Sequence, residues 1–186
     1  TYNASGQQCS GVGATTINGN LTITAGTFQM YNDVALTVEG GVTGAGTLTG
    51  NASAISMGYF GMSGTYSATT GSTIITDRAG AGYQLSCAAS DIIHNDGTFD
   101  FRGSSGGGSE IRLNGASDGT NGLHDVIINA SGRTVSLNSY ALTIDGNLTI
   151  TAGTFSTSGS NYALTVTEQM HSQGTFTGNS STVTVR

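Results

Sequence analysis

The chain has 186 residues, with 30 Gly, no Pro, no Trp, 9% charged residues and a formal charge of −6. That acidic balance excludes a nucleic-acid partner, which needs a basic face to displace counterions, and no run of about 18 apolar residues offers a membrane-spanning helix. The hydrophobic content of 36% also argues against disorder, whose signature is low hydrophobicity with high net charge.

In chain order, the residues 21–24, 35–38, 135–137, 141–144, 148–151, 163–166 and 182–185 each alternate an apolar residue with a small polar one. A period of two turns one side of a strand to a core and the other to solvent, and Thr, Ile and Val suit that pleated surface. Asn-Gly, Asp-Gly, Gly-Asn and Ser-Gly pairs separate these runs, and their residues accept the positive φ of tight turns. No apolar pattern of helical spacing extends over ten residues. The chain reads as all β.

Residues 19–28, Gly-Asn-Leu-Thr-Ile-Thr-Ala-Gly-Thr-Phe, recur letter for letter at 146–155. The match extends on both sides, so that residues 2–57 are a copy of 128–185, with a divergent middle at 58–122, and the whole of 1–186 reads as one continuous array. Inside the large repeat, Gly-Thr followed by Phe, Leu or Tyr begins at 26, 46, 64, 97, 153 and 174. Three of these gaps fit a unit of about twenty residues, the length of a solenoid coil. One aromatic or Leu per coil, always on the same side, is expected to form an internal ladder. The alternative fold is a pilin-like antiparallel β-sandwich completed by a donor strand from a neighbour.

The phrase around Gly-Asn-Leu-Thr-Ile-Thr-Ala-Gly-Thr-Phe, with Ala-Leu-Thr-Val and Gly-Thr-Phe-Thr-Gly-Asn after it, resembles the β-strand-repeat surface proteins of microbes. Those are similar to autotransporter passengers and filamentous-haemagglutinin-type adhesins. The resemblance covers 13–57 and 123–185 and implies a right-handed parallel β-helix, secretion and a place on the cell surface. No basic and apolar leader stands at the first residues, so any export signal is expected to have been removed.

Candidate sites are few. Cys9 and Cys87 suit a disulfide in a secreted chain. With about four coils between them, at about 4.8 Å each, they stand too far apart for the roughly 7 Å limit between bridged Cα atoms. Pairing with another subunit, or an N-terminal segment that folds back, is then required; two buried free thiols are the plain reading. Asn-x-Ser/Thr triplets at Asn3, Asn20, Asn51, Asn129, Asn147 and Asn179 are candidates for N-glycosylation, against the simpler reading that Asn forms turns. Tyr59 and Phe60, in the divergent middle, are candidate glycan contacts, against packing in the core.

Asp96 and Asp100 are expected near each other at a coil corner, where paired carboxylates could act on a polysaccharide. The run from Asp118 to Gly122 has the oxygen ligands of a Ca²⁺ loop but lacks its closing Glu. His94, His124 and His171 have no metal-ligand spacing, and Gly106–Gly108 precedes no helix that could make it a phosphate loop. No catalytic residue, metal ligand or cofactor is therefore assigned.

The reading is a secreted structural β-solenoid, a subunit of an extracellular filament, sheath or adhesin stalk. Its duplicated ends would dock head to tail on further copies, giving a homopolymer; the chain could equally be a piece of a longer array. A glycan-binding cell-surface adhesin is the alternative, and a polysaccharide-active enzyme the third. Neither nucleic acid nor membrane insertion is expected.

Overall fold

The computed structural model describes residues 1–31, 33–76, 82–103, 109–157 and 160–186, the side chains of residues 3–6 and 9 excepted. The chain is a β-solenoid. Among the described residues the helical content is one 3₁₀ turn, Ala89–Asp91, and the strand pairs are parallel. Parallel pairing between coils rules out the antiparallel sandwich.

Each coil contributes to three stacks of strands. In the first, Thr15, Leu36, Ile55, Thr73, Phe99, Val126, Leu148 and Met170 lie one on the next, which counts eight coils. The second runs through Leu21, Val42, Phe60, Leu85, Ile111 and Leu137 and continues with Val135 on Phe155 and Phe155 on Phe176. The third holds Phe28, Leu48, Tyr66 and Ile92, then Leu142, Leu164 and Val183. The alternation of the sequence explains the inside: in Leu142–Ile144 and Leu164–Val166 the apolar residues are buried and the Thr between them is partly exposed. One side of each strand therefore fills the lumen while the backbone bonds to the coils on either side.

Successive members of the first stack are 21, 19, 18, 26, 27, 22 and 22 residues apart. Unit length is thus about twenty at both ends, and two longer coils occupy the middle. Their additional residues fall between Ser72–Ile75 and Leu85–Ala88, and on either side of Glu110–Asn114.

Those two coils correct the expected ladder. Because they absorb more chain than a regular coil, the offset of the duplication runs out before six full turns are complete. The copies are therefore out of phase by one stack. Leu21 stands in the second stack and its copy Leu148 in the first; Phe28 stands in the third and its copy Phe155 in the second. The Gly-Thr-aromatic motif moves likewise, with Phe28, Leu48 and Tyr66 in the third stack, Phe99 in the first, and Phe155 and Phe176 in the second. The phrase keeps its own shape wherever it sits: Gly26 and Gly153 have φ of 79° and 80°. Strand, corner and strand are specified locally, and the stacks accept the same unit.

At the middle of the rod the stacks meet. Phe60 from the second, Tyr66 from the third and Phe99 from the first are all buried, with ring centroids 5.3 Å and 6.3 Å apart across Tyr66. The Tyr66 hydroxyl and Thr73 Oγ1 are hydrogen-bonded at 2.6 Å inside the lumen. Burial holds the Tyr66 phenol above its ordinary range.

Candidate functional site

The stacking register brings together polar residues that the linear sequence keeps apart, at the corner leading into the first stack. His94 and His124 are 30 positions apart in the chain, yet the long coil sets their rings 5.1 Å apart. His94 is 2% exposed. Its Nδ1 accepts the backbone N–H of Asp96 at 3.0 Å, and its Nε2 lies 3.7 Å from Asp145 Oδ2 without a hydrogen bond. His124 stands between two carboxylates, with Nε2 3.8 Å from Asp96 Oδ1 and Nδ1 3.6 Å from Asp125 Oδ1. Spacing rules for metal ligands miss this pairing because they look for neighbours on one strand or helix. The signal was the length of the coil, which one sequence does not display. Among the described residues no three His, Cys, Asp or Glu converge to hold a metal ion.

Beside this corner a ladder runs down the rod. Asp125 Oδ1 accepts the backbone N–H of Asn147 at 2.7 Å and Asn147 Nδ2 at 3.1 Å. Asn147 Nδ2 also donates to Glu168 Oε2 at 2.8 Å, while Asn147 Oδ1 accepts the N–H of Gln169 at 3.3 Å. Each residue thereby ties its coil to the next. On the outer side of the first stack, Ile127, Thr149 and His171 stack beside this ladder. Together with Thr98 the two rows line a groove of about 390 Å³.

Comparison with protein-family models, curated proteins and solved structures finds no match to this chain. The site is therefore read from its own geometry.

The expected carboxylate pair is not assembled. Asp96 is 81% exposed beside the histidines, whereas the Asp100 side chain is 8% exposed and bound to Arg102, at 2.6 Å from Nη2 and 2.8 Å from Nε. Asp100 lies in register between Ile74 and Ile127 on the outer side of the first stack, committed to its ion pair. The calcium-like loop also closes on itself. Asp118 Oδ1 accepts the N–H groups of Asn121 at 2.7 Å and Thr120 at 3.1 Å, and both its oxygens accept from Asn121 Nδ2. These bonds, that of Asn121 first, hold the Asp118 carboxyl below the usual carboxylate range. A carboxyl depressed in the fold supports the loop above its unfolded pKa and withdraws that support as pH falls through its folded value. Asp118→Ala should remove this dependence: amide exchange at Thr120 and Asn121 would be faster than in the parent at pH 7 and equal to it once Asp118 is protonated. An unchanged exchange rate at pH 7 would refute the cap.

Tyr59 and Phe60 divide. Phe60 is fully buried in the aromatic cluster and offers no surface to a sugar. Ile55 and Met57 face inward, the alternation shifts phase at the consecutive buried residues Met57 and Gly58, and Phe60 and Met62 are the inward residues beyond it. Tyr59 does point outward, but its ring lies over Gly41, edge-to-face with Tyr83 at 5.7 Å, and Arg112 caps Tyr83 at 5.6 Å. This aromatic strip is largely spent on itself.

The Asn residues behave as corner pieces. Asn20 Oδ1 accepts the N–H of Gly41 at 2.9 Å. Asn51 and Asn179 adopt left-handed φ of 51° and 49°, and Asn51 Nδ2 donates to the Met30 carbonyl one coil away. Asn147 carries the ladder just described. Asn129 pairs with Ala152 through its backbone, and its side chain is exposed and makes no hydrogen bond with the described residues. The side chain of Asn3 lies outside the described residues. Expression in a glycosylating host should accordingly leave Asn147 unmodified while Asn129 accepts a glycan, and intact-peptide mass spectrometry reads both. Occupancy at Asn147 would contradict the ladder.

Cys9 pairs through its backbone with Phe28 in the third stack, and its side chain lies outside the described residues. Four steps of that stack lead to Ile92, in the coil of Cys87. Cys87 faces Leu113 in the second stack as a free thiol, and burial pushes its pKa well up. The register keeps the separation of about 19 Å expected for four coils. Gly106–Gly108 lies outside the described residues.

Proposed function

We propose that this chain is a rod-forming structural segment of an extracellular surface protein, a subunit of a filament, sheath or adhesin stalk that extends by end-to-end contact with further copies. The observation that supports it is axial continuity: eight coils follow one another in the first stack, each laid on the last by parallel strand pairing around a continuous apolar lumen. In such a fold every coil presents the strand edges and apolar rows on which the next coil builds. The resemblance to autotransporter-passenger and filamentous-haemagglutinin-like proteins points the same way, and with it a secreted, cell-surface location. A surface with few charges and no Lys offers few sites to trypsin-like proteases, which suits exposure outside the cell.

Negative-stain microscopy of the native, unreduced protein, with a non-reducing gel beside it, tests the assembly. Eight coils make a rod of about 40 Å at roughly 4.8 Å per coil. Fibres many times that length are the expected result, and a ladder of reducible species would add pairing between subunits through Cys9 or Cys87. Monodisperse single rods under native conditions would overturn end-to-end assembly.

A further inference from the structure

The outer side of the first stack carries a feature that a plain rod does not need. Down four successive coils, Thr98, Asp125, Asn147 and Gln169 form one row, and Ile127, Thr149 and His171 form a second beside it. Coil spacing makes the first row about 14 Å long and the second about 10 Å, with roughly 6.6 Å between them. The groove between them has a volume of about 390 Å³, within the roughly 300–1,000 Å³ of small-ligand sites.

What matters is which polar groups here remain unspent. Asp125 uses Oδ1 in the ladder, leaving Oδ2 free. The Gln169 carboxamide, the ring nitrogens of His171 and the hydroxyls of Thr98 and Thr149 make no hydrogen bond with the described residues. Donors and acceptors are thus offered together at short, regular intervals on a rigid surface. The Ile127 side chain and the Thr149 methyl supply a small apolar floor between them.

We propose that this groove binds a neutral oligosaccharide lying along the rod axis. A sugar chain presents hydroxyls that both donate and accept at short intervals, and C–H faces that settle on a small apolar floor. Other ligand classes fit less well. A peptide docked by strand addition needs a free sheet edge, whereas the strand at Leu148–Ile150 is paired on both sides. A polyanion, whether nucleic acid or an acidic polysaccharide, meets the carboxylates of Asp125 and Glu168 on a chain of charge −6, and like charges repel. The binding stands whether or not the chain forms fibres, and it moves the glycan contact from Tyr59 and Phe60 to another part of the rod.

Native electrophoresis of the whole chain through gels containing soluble mannan, dextran or β-glucan, with polygalacturonate as the acidic comparison, tests the proposal. At least one neutral polysaccharide should retard the protein and polygalacturonate should not. Thr149→Arg, which fills the groove, and the double variant Gln169→Ala/His171→Ala, which removes exposed partners without touching the ladder's side-chain bonds, should each weaken binding at least tenfold. Melting temperatures within the parent's range would confirm that both variants fold. Tyr59→Ala should bind like the parent. The proposal is overturned if no neutral polysaccharide retards the protein, if only polygalacturonate does, or if both groove variants bind unchanged.

Discussion

Tyr66→Ala should be among the most destabilising single substitutions in the chain, costing about 3–5 kcal/mol, the range for removing a large buried aromatic side chain. Tyr66 is fully buried, touches both Phe60 and Phe99, and bonds Thr73. Its removal opens a cavity where all three stacks converge. Relaxation there is restricted, because each lining residue is fixed by strands in the coils on either side. Urea unfolding measures the loss. Tyr66→Phe separates packing from the hydroxyl: it keeps the ring and leaves Thr73 Oγ1 without its partner, at a cost of about 1–3 kcal/mol. Adding Thr73→Val to Tyr66→Phe removes both polar partners and should recover much of that smaller loss, since replacing a buried pair together is nearly neutral. A Tyr66→Ala cost under about 1 kcal/mol, below the usual range for such a cavity, would mean that the lumen collapses around the missing ring.

The same convergence shows what the sequence could and could not disclose. Short alternating runs such as Leu142–Ile144 and Leu164–Val166 were legible because burial on one side of a strand writes a period of two into the residues. The duplication was legible because it is literal. Its phase was not, since a stack position is a sum over all the intervening coil lengths, and two coils of 26 and 27 residues do not repeat the motif cleanly. That one unread quantity accounts for much of what the sequence left unseen at the candidate site. It places His94 beside His124. It also puts Thr98 in line with Asp125 and Asn147, although 27 and 22 residues separate them. The Phe60 expectation failed for a different reason: a period of two from Ile55 and Met57 would turn Tyr59 inward and Phe60 outward, but the consecutive buried residues Met57 and Gly58 shift the phase and put Phe60 in the core.

Gly153→Ala should be more damaging than its small size suggests. Gly153 has φ of +80°, a region that costs an L-residue about 1–2 kcal/mol. A Cβ there would also stand 2.0 Å from the Ala130 carbonyl oxygen and 2.8 Å from that of Arg133. Both obstacles are backbone in the coil beneath, so no side chain can turn aside, and the corner itself must move. Gly132 isolates the first effect from the second, because it has φ of +70° with nothing within 4 Å of its Cβ position. Gly132→Ala should therefore cost only the backbone strain, about 1–2 kcal/mol, while Gly153→Ala costs that and the displacement of a stacked coil. The consequence reaches beyond one corner, since the pairing of Thr154–Ser156 with Thr175–Thr177 and with Thr134–Ser136 starts at the residue after this glycine. Hydrogen exchange should show both of those strand pairs opening in Gly153→Ala and staying closed in Gly132→Ala. Equal losses in the two variants would mean that left-handed strain alone, and not the close approach of neighbouring coils, is why the repeated phrase keeps glycine at this corner.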